Sequence, residues 1–271
     1  MSDPNKMSFL EHLEELRWRV VRSLVAIVLV AILAFIFKGV VFDVFILAPK
    51  DPDFITYRFF CALSHRLGLS DAFCLSTTFQ LQNIDMSGQF TSHIMVSIVT
   101  GIVVAFPYVF YQFWSFVAPG LKASEKSTAR GAVLATSVLF FLGVAFGYLL
   151  IAPLSVQFLG NYSVSEQVEN IIRLNSFISI VTMTSLSGGI VFQLPIVIYF
   201  LAELGLVTPQ VLRKYRRHAI VGVLIISAVI TPPDISSQIL VSLPLIFLYE
   251  VSIYIAKIVT LRKERRAKSP A

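Results

Sequence analysis

Long apolar runs alternate with short polar breaks along most of the chain. Six runs read as membrane spans: Val20–Val41, Ile94–Val117, Ala132–Ile151, Phe177–Glu203, Ala219–Ile230 and Ile239–Ala256. A helix rises about 1.5 Å per residue and the hydrocarbon core of a bilayer is about 30 Å thick, so about twenty apolar residues make one crossing. The fifth run is short, with about thirteen residues between Arg217 and Thr231, or about 20 Å of helix. "TPPDISSQ" shortens the sixth in the same way. Short spans thin the bilayer or draw polar groups inward, and a re-entrant hairpin fits them equally well. The pattern predicts an all-α polytopic membrane protein of six transmembrane helices. It forms a single membrane domain over residues 1–271, with an amino-terminal helix over 1–19, an extended loop over 42–93 and a basic tail over 257–271.

Prolines punctuate the spans. Pro107 lies inside the second, Pro153 ends the third, Pro195 lies inside the fourth and Pro244 inside the sixth. Each removes a helical hydrogen bond and predicts a bend, and bent helices build a curved wall rather than a straight bundle. Spanning helices also tolerate single prolines without further consequence.

The stretch before the first span, "SFLEHLEELRWRV", predicts a helix of its own. Ser8 followed by Glu11 is a capping box, in which serine oxygen and glutamate satisfy free amide groups reciprocally. Phe9, Leu13, Leu16 and Val20 form one apolar stripe. Glu11 and Glu15 share another face, with Arg19 four residues beyond Glu15, a spacing suited to an ion pair. Taken alone, this is an interfacial helix that balances its own charge.

Composition agrees with the pattern. Of 271 residues, 56% are hydrophobic and only 14% charged, and the mean hydropathy is +0.79. Soluble domains carry about 25% charged residues. The net charge is +6, and the 22 Lys and Arg residues divide unequally between the two faces. Seventeen fall on the face shared by the termini, including Arg17, Arg19, Arg22, Lys122, Lys126, Arg213, Arg216 and the tail; Lys38, Lys50, Arg58, Arg66 and Arg173 fall on the other. Basic residues mark the cytoplasmic side, so both termini are expected there. Loop 42–93 is then external and holds both cysteines, Cys61 and Cys74. On the oxidising side a disulfide between them would contribute ~3 kcal/mol; a pair of packed free thiols is the alternative. The opening residues "MSDPNK" do not resemble a cleavable signal.

Several chemistries find no support. There is no G-x-x-x-x-G-K-[ST] loop and no H-E-x-x-H, and "SLSGG" lacks the leading glycine of a nucleophile elbow. None of His12, His65, His93 and His218 lies centrally in a span. Neither an enzyme nor a bound cofactor, metal or nucleic acid is expected. Glu203 and Glu250 fall near the ends of spans, whereas Gln193 falls nearer the middle, where a polar group needs a function or a bond to a neighbouring helix. A small-solute transporter would need more such groups, and a purely structural scaffold would need none.

Four stretches in series, "FLEHLEELRWRV", "FPYVFYQFWSFVAPGL", "FQLPIVI" and "ITPPDISSQ", resemble the TatC family, the receptor and core subunits of the twin-arginine protein translocase. The resemblance runs in order and spacing over nearly the whole chain. It implies a glove-like wall of six helices in the bacterial cytoplasmic (inner) membrane. It also implies recognition of twin-arginine signal peptides, with transport of folded cargo using the proton-motive force. The implied signal site is Glu15 and Glu125 with Phe116, flanked by Arg17 and Arg19. Partners would be small single-span proteins of the TatA and TatB type in a hetero-oligomer, for which Gln193 and Thr231 are candidate polar docking positions. Pro49, Pro107, Pro119, Asp234 and Gln238 are assigned structural roles. Many members carry glutamate where this chain has Gln193, and the cysteine loop is longer than the family pattern suggests.

Overall fold

The computed structural model describes residues 9–66, 68, 80–117, 129–165, 167, 171–231 and 235–268. Helix α1 covers Phe9–Ile36 and α3 covers Gly88–Val117. No glycine or proline interrupts residues 9–36, so the expected amino-terminal helix and first span are not separate elements. They form one rod of 28 residues, about 42 Å long.

α1 lies antiparallel on α3 and is clasped at three levels. His12 stacks on Phe116 with ring centroids 4.3 Å apart, and Phe35 stacks on His93 at 3.8 Å. Between them, Gly101 lets the backbones approach so closely that a Cβ there would stand 2.7 Å from the Ile27 carbonyl oxygen. The end of the bundle holding His12 is called the near end below, and that holding His93 the far end.

At the far end the chain continues from α1 through a π-turn, Val40–Ile46, and a 3₁₀ turn, Ala48–Lys50, into helix α2, Ile55–Arg66. Strand β1, Leu81–Gln82, pairs in parallel with β2, Ile172–Arg173. The helix that carries the third span runs on beyond it. Helix α4, Ala129–Phe146, passes through a second π-turn, Gly147–Ile151, into α5, Ala152–Asn161. Pro153 does not end the helix, because the turn around it is held from outside. The carbonyl of Leu149, in the π-turn before Pro153, accepts the Thr56 hydroxyl of α2. Tyr57, beside it, donates to the carbonyls of Pro49 (2.8 Å) and Pro153 (3.2 Å). Burial pushes the Tyr57 hydroxyl well above the ordinary tyrosine pKa, so it remains a donor. Tyr148 donates to the Phe45 carbonyl (2.7 Å) and ties the two π-turns together.

The fourth span breaks in two. Helix α6, Leu174–Val191, stops at Phe192–Gln193, and α7, Leu194–Glu203, restarts with Pro195 in its first turn, where no N–H is needed. α6 crosses α4 on glycine: a Cβ on Gly143 would stand 2.4 Å from the Gly188 oxygen, and one on Gly147 would stand 2.3 Å from the Thr184 oxygen. This is a small-xxx-small contact, the kind that brings membrane helices to backbone distance. α7 ends in a Schellman turn at Gly205 (φ +79°), with the Leu206 amide bonded to the Leu201 carbonyl. Short α8, Pro209–Lys214, follows, its amino end capped by Thr208.

Helix α9, Arg216–Ile230, and helix α10, Ile235–Lys268, close the chain. Arg216 pairs with Glu250 at 2.8 Å, and the Gln238 amide donates to the Leu224 carbonyl at 3.1 Å. The first contact joins the start of α9 to the middle of α10, and the second joins the later part of α9 to the start of α10, so the two run antiparallel. Among the described residues, five stretches are long and apolar enough to cross a membrane: 11–36, 88–116, 131–161, 174–203 and 241–263. The fifth expected span, α9, has 15 residues, about 22 Å, and falls short. The expected basic tail is instead the last turns of α10, where Lys263 donates to the Ala202 carbonyl (3.2 Å) and to that of Glu203, capping the end of α7.

Three apolar clusters hold these elements. Val96, Ala152, Phe177, Ile178 and Val181 pack at the far end. Ala202, Leu212, Tyr249, Ile253 and Ala256 pack at the near end. Ile151, Val223, Val241 and Leu245 join α9 and α10 to the second π-turn.

Candidate functional site

The near ends of α1 and α3 assemble part of the expected signal site. Glu15 pairs with Arg19 one turn on: Arg19 Nε donates to Glu15 Oε1 at 3.0 Å, and its Nη2 reaches the same oxygen. The two side chains are 24% and 19% exposed. Glu15 Oε2 is buried and has no hydrogen-bond partner among the described residues. Such an oxygen is an acceptor awaiting a donor, since leaving it unpaired costs the full desolvation of a charged group. Phe116 stacks on His12, which precedes Glu15 by three residues and so shares its side of α1. The helix pair thus brings Phe116 and the open carboxylate oxygen within about one turn of each other.

Arg17 is exposed and, two residues from Glu15, projects from roughly the opposite side of the helix. Glu125 and Pro119 lie outside the described residues, as do Ser8, Lys122 and Lys126. Along α1, starting one turn beyond Glu15, runs a groove of about 440 Å³ lined by Trp18, Val21, Arg22, Val25, Ala26 and Leu29, with Tyr108 of α3. Trp114 is buried against Phe200 of α7 (4.9 Å), and its Nε1 is a second unpartnered buried group. His12 and Trp114 were not singled out in the sequence. The signal available was the aromatic run "YQFWSFV" opposite "FLEHLEEL".

Gln193 sits in the break between α6 and α7. Its Nε2 reaches the carbonyls of Thr136 on α4 (3.3 Å) and Gly189 (3.4 Å), both long bonds, while Oε1 is buried without a partner among the described residues. Thr231 is different: it is buried, and its hydroxyl bonds the Ser227 carbonyl at 2.8 Å, which leaves it satisfied within α9. Pro49 serves as the Tyr57 acceptor, Pro107 sits inside an unbroken α3 and Gln238 clamps α9 to α10. Asp234 lies outside the described residues. Cys61 is disulfide-bonded; the one other cysteine of the chain, Cys74, lies outside the described residues.

The family model described as TatC, Sec-independent protein translocase protein, matches residues 11–244. A Sec-independent protein translocase protein TatC from Blattabacterium sp. subsp. Periplaneta americana is 39% identical over 265 residues, 97% of this chain and 99% of that protein. The TatC of Aquifex aeolicus is 32% identical over 264 residues, 97% of this chain and all of that protein. A crystal structure titled as the twin-arginine translocase receptor TatC superposes with a TM-score of 0.71 at 31% identity, covering 92% of this chain and 100% of that one.

Proposed function

The chain belongs to the TatC family of Sec-independent protein translocase proteins, and from that premise we propose that the near end of α1 and α3 is where it receives the twin-arginine signal. It is a multi-pass membrane protein and a subunit of the twin-arginine translocase. The observation that carries the reading is the buried, unpartnered Oε2 of Glu15. Arg19 occupies one carboxylate oxygen and leaves the other for an incoming guanidinium. Arginine presents a planar fork of donors suited to a carboxylate, which lysine lacks. Glu125 receives the second arginine, and Phe116 closes the site on the side of α3.

Charged hydrogen bonds contribute about 1.5–3 kcal/mol each. Micromolar affinity corresponds to about −8 kcal/mol, so two arginines do not suffice. The apolar segment of the signal supplies the rest by lying in the groove from Trp18 to Leu29, which starts one turn from Glu15. Both termini face the cytoplasm, in the cytoplasmic membrane of a bacterium, so the site meets cargo before export. The chain carries out no reaction of its own; transport draws on the proton-motive force. Small single-span partners of the TatA and TatB type dock beside Gln193, whose free Oε1 accepts from them. The test is photocrosslinking of a twin-arginine peptide to the chain in native membranes, against a twin-lysine peptide. Preferential crosslinking of the arginine peptide near Glu15, lost in Glu15→Ala, supports the reading; equal crosslinking of both peptides by parent and variant overturns it.

A further inference from the structure

Helix α2 is turned inside out relative to a helix on a water-facing surface. Its inward face is polar, with Thr56, Tyr57 and Ser64 buried. Its outward face is apolar: Ile55, Phe59 and Leu63 are 64%, 62% and 39% exposed. Their spacing of four residues places them in one stripe. Arg58 flanks the stripe and Arg66 ends it, both exposed.

The depth of α2 is fixed by its bonds. Thr56 and Tyr57 reach the carbonyls of Leu149 and Pro153, within the span that covers 131–161. A helix entering hydrocarbon at Gly131, just after Arg130, leaves it about twenty residues later, near Ile151. α1 gives the same level independently. About twenty residues beyond Arg22 lies the first π-turn, whose Phe45 carbonyl is held by Tyr148. There the turn after α1 and the first π-turn also expose Phe37, Val40 and Val44 (61%, 54% and 59%). The apolar stripe of α2 therefore continues an apolar belt at the level where acyl chains meet headgroups.

We propose that α2 is an interfacial anchor, its Ile55–Phe59–Leu63 stripe seated among the acyl chains of the far leaflet and its arginines on anionic lipid phosphates. A helix with a large apolar face and flanking arginines lies in the plane of such an interface. Guanidinium groups there gain from negatively charged headgroups as well as from the phosphates themselves. Lipid is the occupant that matches apolar side chains at this depth and cations at the rim together. This anchor rests on the chain being a membrane protein and is independent of the signal site.

The test places the photoreactive residue p-benzoylphenylalanine at Phe59, and separately at Val164, in the full chain. Val164 is 87% exposed and lies beyond the end of α5, clear of the proposed interface. The chains are reconstituted in vesicles of equal parts phosphatidylethanolamine and phosphatidylglycerol, and the adducts are read by mass. The expected result is lipid adducts at Phe59 several-fold above those at Val164. In the Arg58→Gln, Arg66→Gln double variant, the phosphatidylglycerol share of those adducts should fall several-fold. Adducts joining two copies of the chain at Phe59, or lipid labelling no greater than at Val164, would overturn the anchor. An unchanged phosphatidylglycerol share in the double variant would overturn the role of the arginines.

Discussion

Thr56 donates its hydroxyl to the carbonyl of Leu149, in the π-turn that precedes Pro153. With Tyr57 on Pro49 and Pro153, this bond holds the far-end helix α2 on the third span. Thr56→Val or Tyr57→Phe takes a donor from a sheltered carbonyl and should cost about 1–3 kcal/mol, read as a lower unfolding temperature in detergent. Folding raises the Tyr57 pKa above its ordinary value of 10 by burial. Its contribution is therefore complete below pH 10 and lost as pH rises through the folded value. The parent should lose stability above pH 10 more steeply than Tyr57→Phe.

At the proposed signal site, Glu15→Ala should weaken binding of a twin-arginine peptide by about 1.5–3 kcal/mol, roughly ten- to a hundredfold, while leaving the chain inserted. Glu15→Lys should do worse, since a like charge adds repulsion to a lost bond. Glu125→Ala should behave as Glu15→Ala does. Binding should also fall as salt rises. Peptide titration in nanodiscs at two ionic strengths measures all of these, with Glu14→Ala as the control expected to match the parent.

Gln193→Leu removes the bonds to Thr136 and Gly189 along with the open Oε1. It should reduce co-purification of the small single-span partners. Gln193→Glu keeps an acceptor at the same place and should retain them. Parent-like recovery of partners by the leucine variant would reduce Gln193 to a packing residue.

The glycine crossing of α4 and α6 makes a sharper claim. Gly143→Ala and Gly147→Ala each drive a methyl against a backbone oxygen that cannot rotate away. Each should cost about 1–3 kcal/mol. Gly222, with nothing within 4 Å of its Cβ position, is the control. Alanine there should be neutral or stabilise α9 by about 0.5–1 kcal/mol. Thermal unfolding of the three variants separates crowding from helix propensity.

On intact cells, impermeant thiol reagents should label Cys61 and Cys74 only after reduction. Labelling only after lysis would reverse the proposed orientation of both termini.

Among the described residues, five of the six expected spans were legible in the sequence because apolar length is a local property, and the bend expected at Pro195 is a break, although Pro107 leaves α3 unbroken. The outside hold on the turn at Pro153 was not legible. It depends on Thr56, whose partner lies 93 residues away. Without that bond, proline at a span end reads as a stop. Glu15 and Arg19 were readable from their spacing, but the unpaired second oxygen was not, because burial of one atom depends on how α1 meets α3. "GVAFG" could have been read as a close-packing motif, and the bond of Thr231, a candidate docking position, to the Ser227 carbonyl one turn back was not visible from its residue type.

The clasp between α1 and α3 also limits how the gene can change. His12, one turn before Glu15, meets Phe116 only because the residues from His12 to Phe35 are counted off without error against those from His93 to Phe116. One codon inserted between Glu15 and Ile27 would turn the carboxylate about 100° away from the site. Seven codons would nearly restore its direction but carry it about 10 Å past Phe116. No in-frame insertion there restores both direction and height. Substitutions can accumulate along this rod, but its length is fixed.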